Sequence, residues 1–483
     1  MQLSKNEVQK RTNSNISKLL SQPFYKVEYV DAFDLLTFDR IDILIKFLYV
    51  KSLTINKGVN FHKDLYLEHI KLFNYFVEAD STNKVGKNVF VNKFNDLINV
   101  IKTEGFDNKM LIPIDANSIP LDGAHRIAIA AFLGMRVPTI KINTNNTHNF
   151  NCNFFENRGL SSSYLDYISI EYAKLKSNTH TILIWPKAKN NEDAITELIS
   201  DYGSIVRTKK VNITYNGLVN LLCEVYKRES WLGNYNNDFE GAHSKSSQCY
   251  SNNNSLRAFL FEPNKGVDLI ELKDKIRTIF KIQKHSVHIN DTFEETLEIV
   301  DLIFDDNNIH RLNCASRKEM SNFNRLFKVF ENYVIKHKLN RENIAIIGGV
   351  LALFGVKDVT DIDYISTSKI PDRITDEIEE ETKKLDYISY EKDSLVHNPN
   401  LYFNYKGFKF STIDVISKIK KKRGNLNDKY DVEIINNLKK NKVYSKTLKS
   451  RLKLLTSFFY YKRLIKQVLL RIRYILYQYV LKK

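Results

Sequence analysis

Apolar residues recur along the chain in two patterns, short continuous runs typical of buried strands and longer segments with helical spacing. The two patterns alternate within three separate stretches, which predicts a multidomain α+β protein. A length of 483 residues also favours about three domains. The predicted organisation is a mobile polar start at 1–22, domains at 23–145, 179–318 and 319–440, a linker with one helix at 146–178, and a tail at 441–483.

The first domain carries its clearest pattern between residues 112 and 142, where a strand, a turn and a short strand precede a helix and a last strand. Four residues with polar chemistry or backbone freedom cluster where this helix begins, namely Asp122, Gly123, His125 and Arg126. Free N–H groups and the dipole at a helix N-terminus favour phosphate. The cluster therefore predicts a nucleotide or phosphate site.

This Asp-Gly-x-His-Arg pattern, with the Ala/Ile helix behind it, resembles the ParB/sulfiredoxin superfamily, which includes CTP-binding partition proteins and a free serine kinase. The resemblance implies an α+β domain of that type. In it His125 and Arg126 would hold phosphates, Gly123 would lie against the nucleotide, and Asp122 would serve a metal or a hydroxyl. The alternative is that His125 and Arg126 only cap a helix.

Two further expectations follow from the same resemblance. A kinase needs a catalytic base from elsewhere in the domain, for which Glu68 and Asp42 are the candidates. Sulfiredoxin has a cysteine in the loop where this chain has Gly123 or Ala124, so repair of sulfinic acids is not expected.

The middle domain begins with an apolar strand, continues with a predicted helix from Glu192 to Tyr202 and includes a predicted strand at 256–261. Its last part reads IRTIF and then HINDTFEE, a segment that resembles nucleoside diphosphate kinase. The resemblance implies a ferredoxin-like domain in which His288 is a phosphate-carrying nucleophile and Arg277 binds the nucleotide.

The middle domain also departs from that family. Its loop between Arg277 and His288 is about two residues shorter, and Trp-Pro-Lys stands at 185–187 where the family has Lys-Pro-Asp. Tyr226 and Trp231 match the positions of base-stacking aromatic residues. The alternative is that His288 is an ordinary histidine on a strand above a capped helix.

A third pattern occupies Ile344–Ser366, where an apolar strand, two glycines and an apolar helical turn lead to a second strand with Asp361 and Asp363. Residues two apart on a strand share a face, so the two carboxylates are expected side by side. A divalent metal such as Mg²⁺ relieves their repulsion. Gly348 and Gly349 allow the backbone to approach a phosphate closely.

Gly-Gly followed by Asp-x-Asp resembles the nucleotidyltransferase superfamily of DNA polymerase beta, over about residues 325–440. The resemblance implies a third carboxylate on a later strand, for which Asp414 is the candidate, as a metal ligand that assists the attacking oxygen. Relatives often place a Lys and an Asp in the closing helix, where Lys429 and Asp431 match. A segment at 374–385 is predicted to be an acidic, solvated helix. The alternative is a glycine turn with two surface aspartates.

The formal net charge of +17 is located at the end of the chain, because from Val415 onward 20 basic residues face three acidic ones. Residues 1–414 are balanced, so the charge is a property of the C-terminal tail and not of the domains. The tail has helical spacing of large apolar and basic side chains, which predicts a basic amphipathic helix on an anionic membrane surface. Packing on the body of the protein and a nucleic-acid arm are the alternatives.

Four cysteines without a C-x-x-C pattern predict a reducing compartment, and no apolar run is long enough to span a membrane. The expected location is cytoplasmic, or peripheral at the inner face of the membrane. Zinc and a disulfide framework are not expected.

Three phosphate-handling patterns in one chain predict a two-step enzyme that uses Mg²⁺ and ATP or another NTP. A kinase would phosphorylate a sugar, alditol or amino-acid-like precursor, and a nucleotidyltransferase would then activate it, as in surface polysaccharide synthesis. The expected partners are nucleotides and a small hydroxyl- or phosphate-bearing substrate. One alternative is a ParB-like protein associated with nucleic acid, which the neutral body disfavours. The other is a scaffold with decayed sites.

Overall fold

The computed structural model describes residues 1–78, 84–144, 149–371 and 374–440. It contains two compact units, one formed by Met1–Val211 with Ser255–Asp305 and the other by Asn212–Asn254 with the chain from Asp306 onward. Both units combine helices with sheets, which confirms the mixed α+β class. The predicted basic amphipathic tail at 441–483 lies outside the described residues.

The first unit begins with a four-stranded sheet in the order β1-β2-β4-β3, antiparallel except for the pair β3 and β4. Its elements are β1 (Gln2–Ser4), α1 (Lys5–Gln9), α2 (Ser14–Leu19), β2 (Phe24–Asp31), α3 (Ile41–Ile55), α4 (Val59–Asn74), α5 (Lys87–Glu104), β3 (Ile112–Ile114), α6 (Ala124–Phe132) and β4 (Arg136–Lys141). The first strand, the helix and the last strand predicted between 112 and 142 are confirmed, whereas the short strand predicted before the helix is only an isolated bridge between Ile114 and Pro120.

The expectation of a mobile start at 1–22 is wrong. Strand β1 pairs with β2, and two short helices follow it. Leu3, Val8 and Ile16 are few and widely spaced in the sequence, yet all three are buried in one apolar cluster. Burial of these side chains outweighs the polar composition of the segment.

The described part of the predicted linker at 146–178, from residue 149 onward, is also part of the packed structure. It contains α7 (Cys152–Glu156) and α8 (Ser162–Leu175). Helix α8 buries Leu165, Ile168 and Ala173 completely, so it is a core element of the first unit.

A second four-stranded sheet of the first unit has the order β6-β7-β5-β8, and all its neighbouring strands are antiparallel. In chain order the elements are β5 (His180–Ile184), α9 (Glu192–Tyr202), β6 (Gly203–Val211), then α10 (Tyr215–Val225) and α11 (Glu240–Cys249) of the second unit, then β7 (Leu256–Pro263), α12 (Leu269–Phe280), β8 (Val287–Ile289) and α13 (Phe293–Ile303). Apart from the two helices of the other unit, this is a β-α-β-β-α-β succession.

The second unit is built on a five-stranded sheet in the order β11-β10-β9-β13-β12. Its remaining elements are α14 (Asp306–Cys314), α15 (Ser321–Lys336), β9 (Ile344–Ile346), α16 (Val350–Leu353), β10 (Ile362–Ser366), β11 (Ile378–Glu380), α17 (Lys392–His397), β12 (Tyr402–Tyr405), β13 (Phe408–Ser411), α18 (Ile413–Arg423) and α19 (Leu426–Leu438). Strand β9 is antiparallel to β10 and parallel to β13.

The acidic helix predicted at 374–385 is wrong. The described part of this segment forms β11 and then a 3-10 helix at Thr382–Tyr387. Ile378 is completely buried and pairs with Ile362 in a parallel register. The pairing with a strand already in the core therefore overrides the local helical composition.

Candidate functional site

A cavity of about 450 Å³ lies in the second unit where the glycine turn meets strand β10. The turn, Gly348–Gly349, lines it together with Asp361 and Asp363. Four basic side chains line the same cavity, namely Lys357, Lys384, Lys420 and Arg423. The structure thus brings the glycine pair and the Asp-x-Asp pair to one place, beside positive charges that the sequence did not single out.

Both glycines are required by close packing. A Cβ atom on Gly348 would lie 2.5 Å from the backbone nitrogen of Asp363, and the Gly348 N–H donates to the Asp363 carbonyl at 2.9 Å. Gly349 has φ of +82°, and its Cβ would lie 2.8 Å from the ring of Phe323. The turn is therefore fixed against both β10 and α15, with its backbone facing the cavity.

Asp361 is exposed, whereas Asp363 is half-buried and in contact with the Lys384 ammonium. Burial raises the pKa of Asp363, Lys384 opposes this effect, and the charge of Asp361 adds to it. The sequence argument required a positive charge beside these two carboxylates, and Lys384 is one source of it.

Two buried aspartates on α19 hold the basic side chains in position. Asp428 accepts two hydrogen bonds from Arg423, at 2.7 and 2.6 Å, and Asp431 accepts one from Lys420 at 2.7 Å. Lys357 lies 3.5 Å from Asp431. Because these carboxylates hold the cations in place within the cavity lining, the cations are preorganised donors. Asp431 matches the residue expected in the closing helix.

The assignment of Asp414 as the third carboxylate is wrong. Strand β13 ends at Ser411 and Thr412 caps the helix that follows, so Asp414 falls in the first turn of α18. Its side chain is largely exposed and pairs with Lys439, and it does not line the cavity. Lys429 does not line it either. The sequence argument failed because it extended the strand by a few residues past the true helix start.

A magnesium ion is compatible with the two carboxylates that remain. Within the described ranges, no three His, Cys, Asp or Glu side chains form a metal-binding group. In nucleotide sites, however, Mg²⁺ commonly takes only one or two protein carboxylates and completes its coordination with phosphate oxygens and water. Asp361 and Asp363 meet that requirement in a cavity whose lining also includes four basic side chains and three further aspartates, Asp358, Asp428 and Asp431.

The residues predicted for the first domain line a different cavity, of about 630 Å³, in the first unit. Gly123 has φ of +84°, and a Cβ on it would lie 2.6 Å from Ile112. Asp122 accepts a hydrogen bond from Asn13 at 2.8 Å and lies 3.9 Å from Arg126. The structure therefore gathers the predicted cluster and adds Asn13 to it.

His125 is a neutral side chain in this cavity. Burial lowers the pKa of His125 well below its usual value, and the charges of Lys46 and Lys84 lower it further. Its Nε2 shares a hydrogen bond of 3.1 Å with the Tyr66 hydroxyl. A neutral imidazole cannot contribute charge to a bound phosphate, so Arg126 is the cation of this motif.

Neither candidate base is suited to catalysis. Burial alone would raise the pKa of Asp42, but Arg40 and Lys46 reverse this effect and lower the pKa far below the usual range. Glu68 pairs with Lys71 at 3.2 Å and does not line the cavity. The ion cluster Arg40–Asp42–Lys46 was missed, although charges at these spacings inside the apolar run of α3 are a signal in the sequence.

The structure places the residues predicted for the middle domain on different elements of the chain. His288 lies in the middle of β8, opposite Leu183 of β5, and Arg277 donates to Asp274 on its own helix at 2.8 Å. Neither residue lines the cavities of about 450 and 630 Å³ formed by the described residues. Tyr226 and Trp231 belong to the second unit, whereas His288 and Arg277 belong to the first.

Comparisons of this chain with protein-family models, with curated proteins and with solved structures found no match. Among the helices of the described residues, none has the length and apolar character needed to cross a membrane.

Proposed function

We propose that the second unit catalyses Mg²⁺-dependent nucleotidyl transfer from ATP or another NTP to a small phosphate-bearing acceptor. The observation that carries the proposal is the cavity lined jointly by the Gly348–Gly349 turn, the Asp361 and Asp363 carboxylates and four basic side chains. A glycine turn suits a phosphate, paired carboxylates suit Mg²⁺, and basic side chains suit a polyphosphate.

Each group of residues has a distinct role in this proposal. Asp361 and Asp363 would hold Mg²⁺, which as a Lewis acid stabilises the charge that develops on the transferring phosphoryl group. Lys420, Arg423 and Lys357 would bind the phosphate oxygens of the nucleotide. Asp428 and Asp431 are positioning residues, because they act through these cations.

The loss of Asp414 from the site favours a particular kind of acceptor. An alcohol must lose a proton during attack, whereas a phosphate monoester is already an anion at neutral pH. An acceptor phosphate oxygen would form a bond to the α-phosphorus of the NTP, and the bond to the departing pyrophosphate would break. No protein base is needed, which agrees with a site whose other carboxylates are engaged. Asp428 and Asp431 are ion-paired, and Asp358 accepts hydrogen bonds from the backbone N–H groups of Asn322 and Phe323.

The wider hypothesis is an activation pathway for a sugar, alditol or amino-acid-like precursor, as in surface polysaccharide synthesis. A phosphorylating reaction must then supply the acceptor, and a kinase domain resembling the ParB/sulfiredoxin superfamily in the first unit would suit it. The β-α-β-β-α-β succession and the strand order β6-β7-β5-β8 support a ferredoxin-like middle domain. The positions of His288 and Arg277 do not favour nucleoside diphosphate kinase activity.

The proposal is tested by incubating the full chain with Mg²⁺, each NTP labelled at its α-phosphate, and a panel of sugar, alditol and hydroxy-amino-acid phosphates. The expected result is acceptor-dependent release of pyrophosphate and labelled product. The double variant Asp361→Asn with Asp363→Asn should lose about 100-fold or more of that rate.

Asp414→Asn is the matched control, because Asp414 is an acidic residue of the same unit that does not line the cavity. It should retain the wild-type rate. Equal rates for wild-type protein and the double variant would contradict the proposal, and no turnover of any NTP would favour the scaffold alternative.

A further inference from the structure

We propose that the cavity of the first unit is a binding site for a phosphate monoester with a flat apolar body, held by Lys46 and Arg126. This inference does not depend on nucleotidyl transfer in the second unit. It concerns the cavity of about 630 Å³ that the Arg40–Asp42–Lys46 cluster and Arg126 line together.

The first observation is a buried excess of positive charge. Arg40, Asp42 and Lys46 are each less than 5% exposed, so two cations share one carboxylate with little access to water. Arg40 donates to both oxygens of Asp42, at 2.8 and 3.1 Å, and Lys46 donates to Asp42 at 3.1 Å. A buried cation without a counter-charge is costly, so the cluster is electrostatically incomplete until an anion binds.

The second observation is that hydrogen-bonding capacity remains at the cavity wall. The Lys46 ammonium has three N–H donors, and the acceptors it contacts are the carbonyl and carboxylate oxygens of Asp42. Nη1 of Arg126 is buried and has no hydrogen-bond partner within the described residues. Buried donors of this kind are normally satisfied, which points to a ligand acceptor.

The charge of the whole wall indicates the kind of anion. Five basic side chains and three acidic ones line the cavity, an excess of two positive charges. A phosphate monoester carries about −1.5 to −2 at neutral pH, whereas a carboxylate carries −1. The phosphate monoester therefore matches the wall better.

The apolar residues of the lining indicate what is attached to the phosphate. Tyr66, Phe90 and Phe94 line the cavity with aromatic surface, and Ile70 and Leu97 add aliphatic surface. His125 packs edge-on to Phe94 with ring centroids 4.5 Å apart and remains neutral, so it belongs to the apolar side. A flat or apolar body would bury its surface there while its phosphate meets the basic side.

The test is isothermal titration of the full chain with phenyl phosphate at neutral pH, with inorganic phosphate and phenol as matched probes of the two halves of the ligand. Phenyl phosphate should bind more tightly than inorganic phosphate, and phenol should bind much more weakly than either. Lys46→Met and Arg126→Gln should each weaken phenyl phosphate binding by about tenfold or more.

Lys71→Met is the control for lost charge, because Lys71 is an exposed lysine that does not line the cavity. It should bind phenyl phosphate as the wild type does. If Lys46→Met fails to fold, Arg126→Gln still tests the proposal, because Arg126 lies outside the buried cluster.

Two results would overturn the proposal. They are the absence of phenyl phosphate binding to the wild type, and wild-type affinity in both Lys46→Met and Arg126→Gln. Neither result depends on whether the second unit turns over an NTP.

Discussion

At the scale of single residues, Gly349 shows how backbone geometry and packing act together at the cavity of the second unit. Its φ of +82° is costly for any residue with a Cβ, and the added atom would also press on Phe323 at 2.8 Å. The strain alone costs about 1–2 kcal/mol. Displacing a buried ring adds about 1–3 kcal/mol.

Gly349→Ala should therefore lower the stability of the second unit by more than Gly424→Ala does. Gly424 has φ of +68°, but a Cβ there would meet no atom nearer than 3.7 Å, so only the strain applies. Urea titration followed by hydrogen exchange of second-unit peptides would measure both. Equal losses would show that contact with Phe323 is unimportant.

Asp39 gives a prediction for the pH dependence of the first unit. Burial, and then the charges of Asp115 and Glu262, raise the pKa of Asp39 to about 6. In the unfolded chain the pKa of an aspartate side chain is about 3.9. Because the folded state binds the proton more tightly, the free energy of unfolding should fall as pH rises from about 4 to about 6 and stay level above that.

Asp39→Asn should remove this part of the pH dependence and stabilise the first unit at pH 7. Asp39 is only half-buried, so after solvent screening the gain should be about 1–2 kcal/mol. Trp185 is buried in the first unit, so its fluorescence in a Trp231→Phe background would report the urea transition of that unit. Asp96→Asn, an exposed change on α5, should leave the pH profile unchanged.

The candidate residues differ in how far the sequence could predict their placement. Gly348, Gly349, Asp361 and Asp363 are close in sequence, so one turn and one strand pair bring them together. The prediction for Asp414 depended on where β13 ends. The predicted strand was a few residues too long, and Asp414 is an exposed residue of the helix that follows. Asp428 hydrogen-bonds Arg423 because α19 packs against α18, and no local sequence pattern predicts that packing.

At the scale of elements, boundaries with strong local signals were predictable. The helix expected from Glu192 to Tyr202 has those bounds in the structure, and Thr292 caps α13 as its position before an amphipathic segment predicts. Strand β11 was missed because its pairing with β10 is parallel and follows a long connection. Acidic neighbours of Ile378 instead gave a helical composition.

Thr292→Ala should lower the stability of the first unit by about 1 kcal/mol, because the Thr292 hydroxyl accepts a hydrogen bond from the Glu295 N–H at 3.3 Å. Thr292→Ser keeps the oxygen and should cost much less. The same Trp185 fluorescence transition in urea compares the two variants. A similar loss in both would assign the effect to the methyl group and not to the cap.

At the scale of the whole molecule, the sequence predicted three consecutive domains, whereas the chain passes between two compact units three times. Segment 212–254 lies between β6 and β7, two neighbouring strands of the first unit, yet it belongs to the second unit. Its Asn-rich end at Ser251–Asn254 indicates a loop, but a loop does not reveal that the chain changes unit there. The unit to which a segment belongs depends on contacts between residues distant in sequence. Local sequence patterns therefore could not predict that segment 212–254 belongs to the second unit.

The predicted start of the last domain at 319 has a consequence that can be measured. A domain that began at 319 would exclude α14. In the structure, however, Asn308 on α14 donates a hydrogen bond to the Asn404 carbonyl of β12 at 2.9 Å. His310 on the same helix hydrogen-bonds the Leu438 carbonyl at the end of α19, also at 2.9 Å. Leu312 and Cys314 of α14 are completely buried.

A fragment of residues 306–440 should therefore unfold cooperatively in urea, whereas a fragment of residues 319–440 should be less stable by about 3 kcal/mol or more. Both fragments lack α10 and α11, so the comparison isolates α14. Circular dichroism in the near ultraviolet would follow the packing of the aromatic residues shared by both. Identical transitions would mean that α14 adds nothing to the fold and that 319 is a true boundary. A cooperative transition present only in the longer fragment would show that the folded C-terminal segment starts at α14. The physical reason would be the hydrogen bonds that join α14 to β12 and to the end of α19.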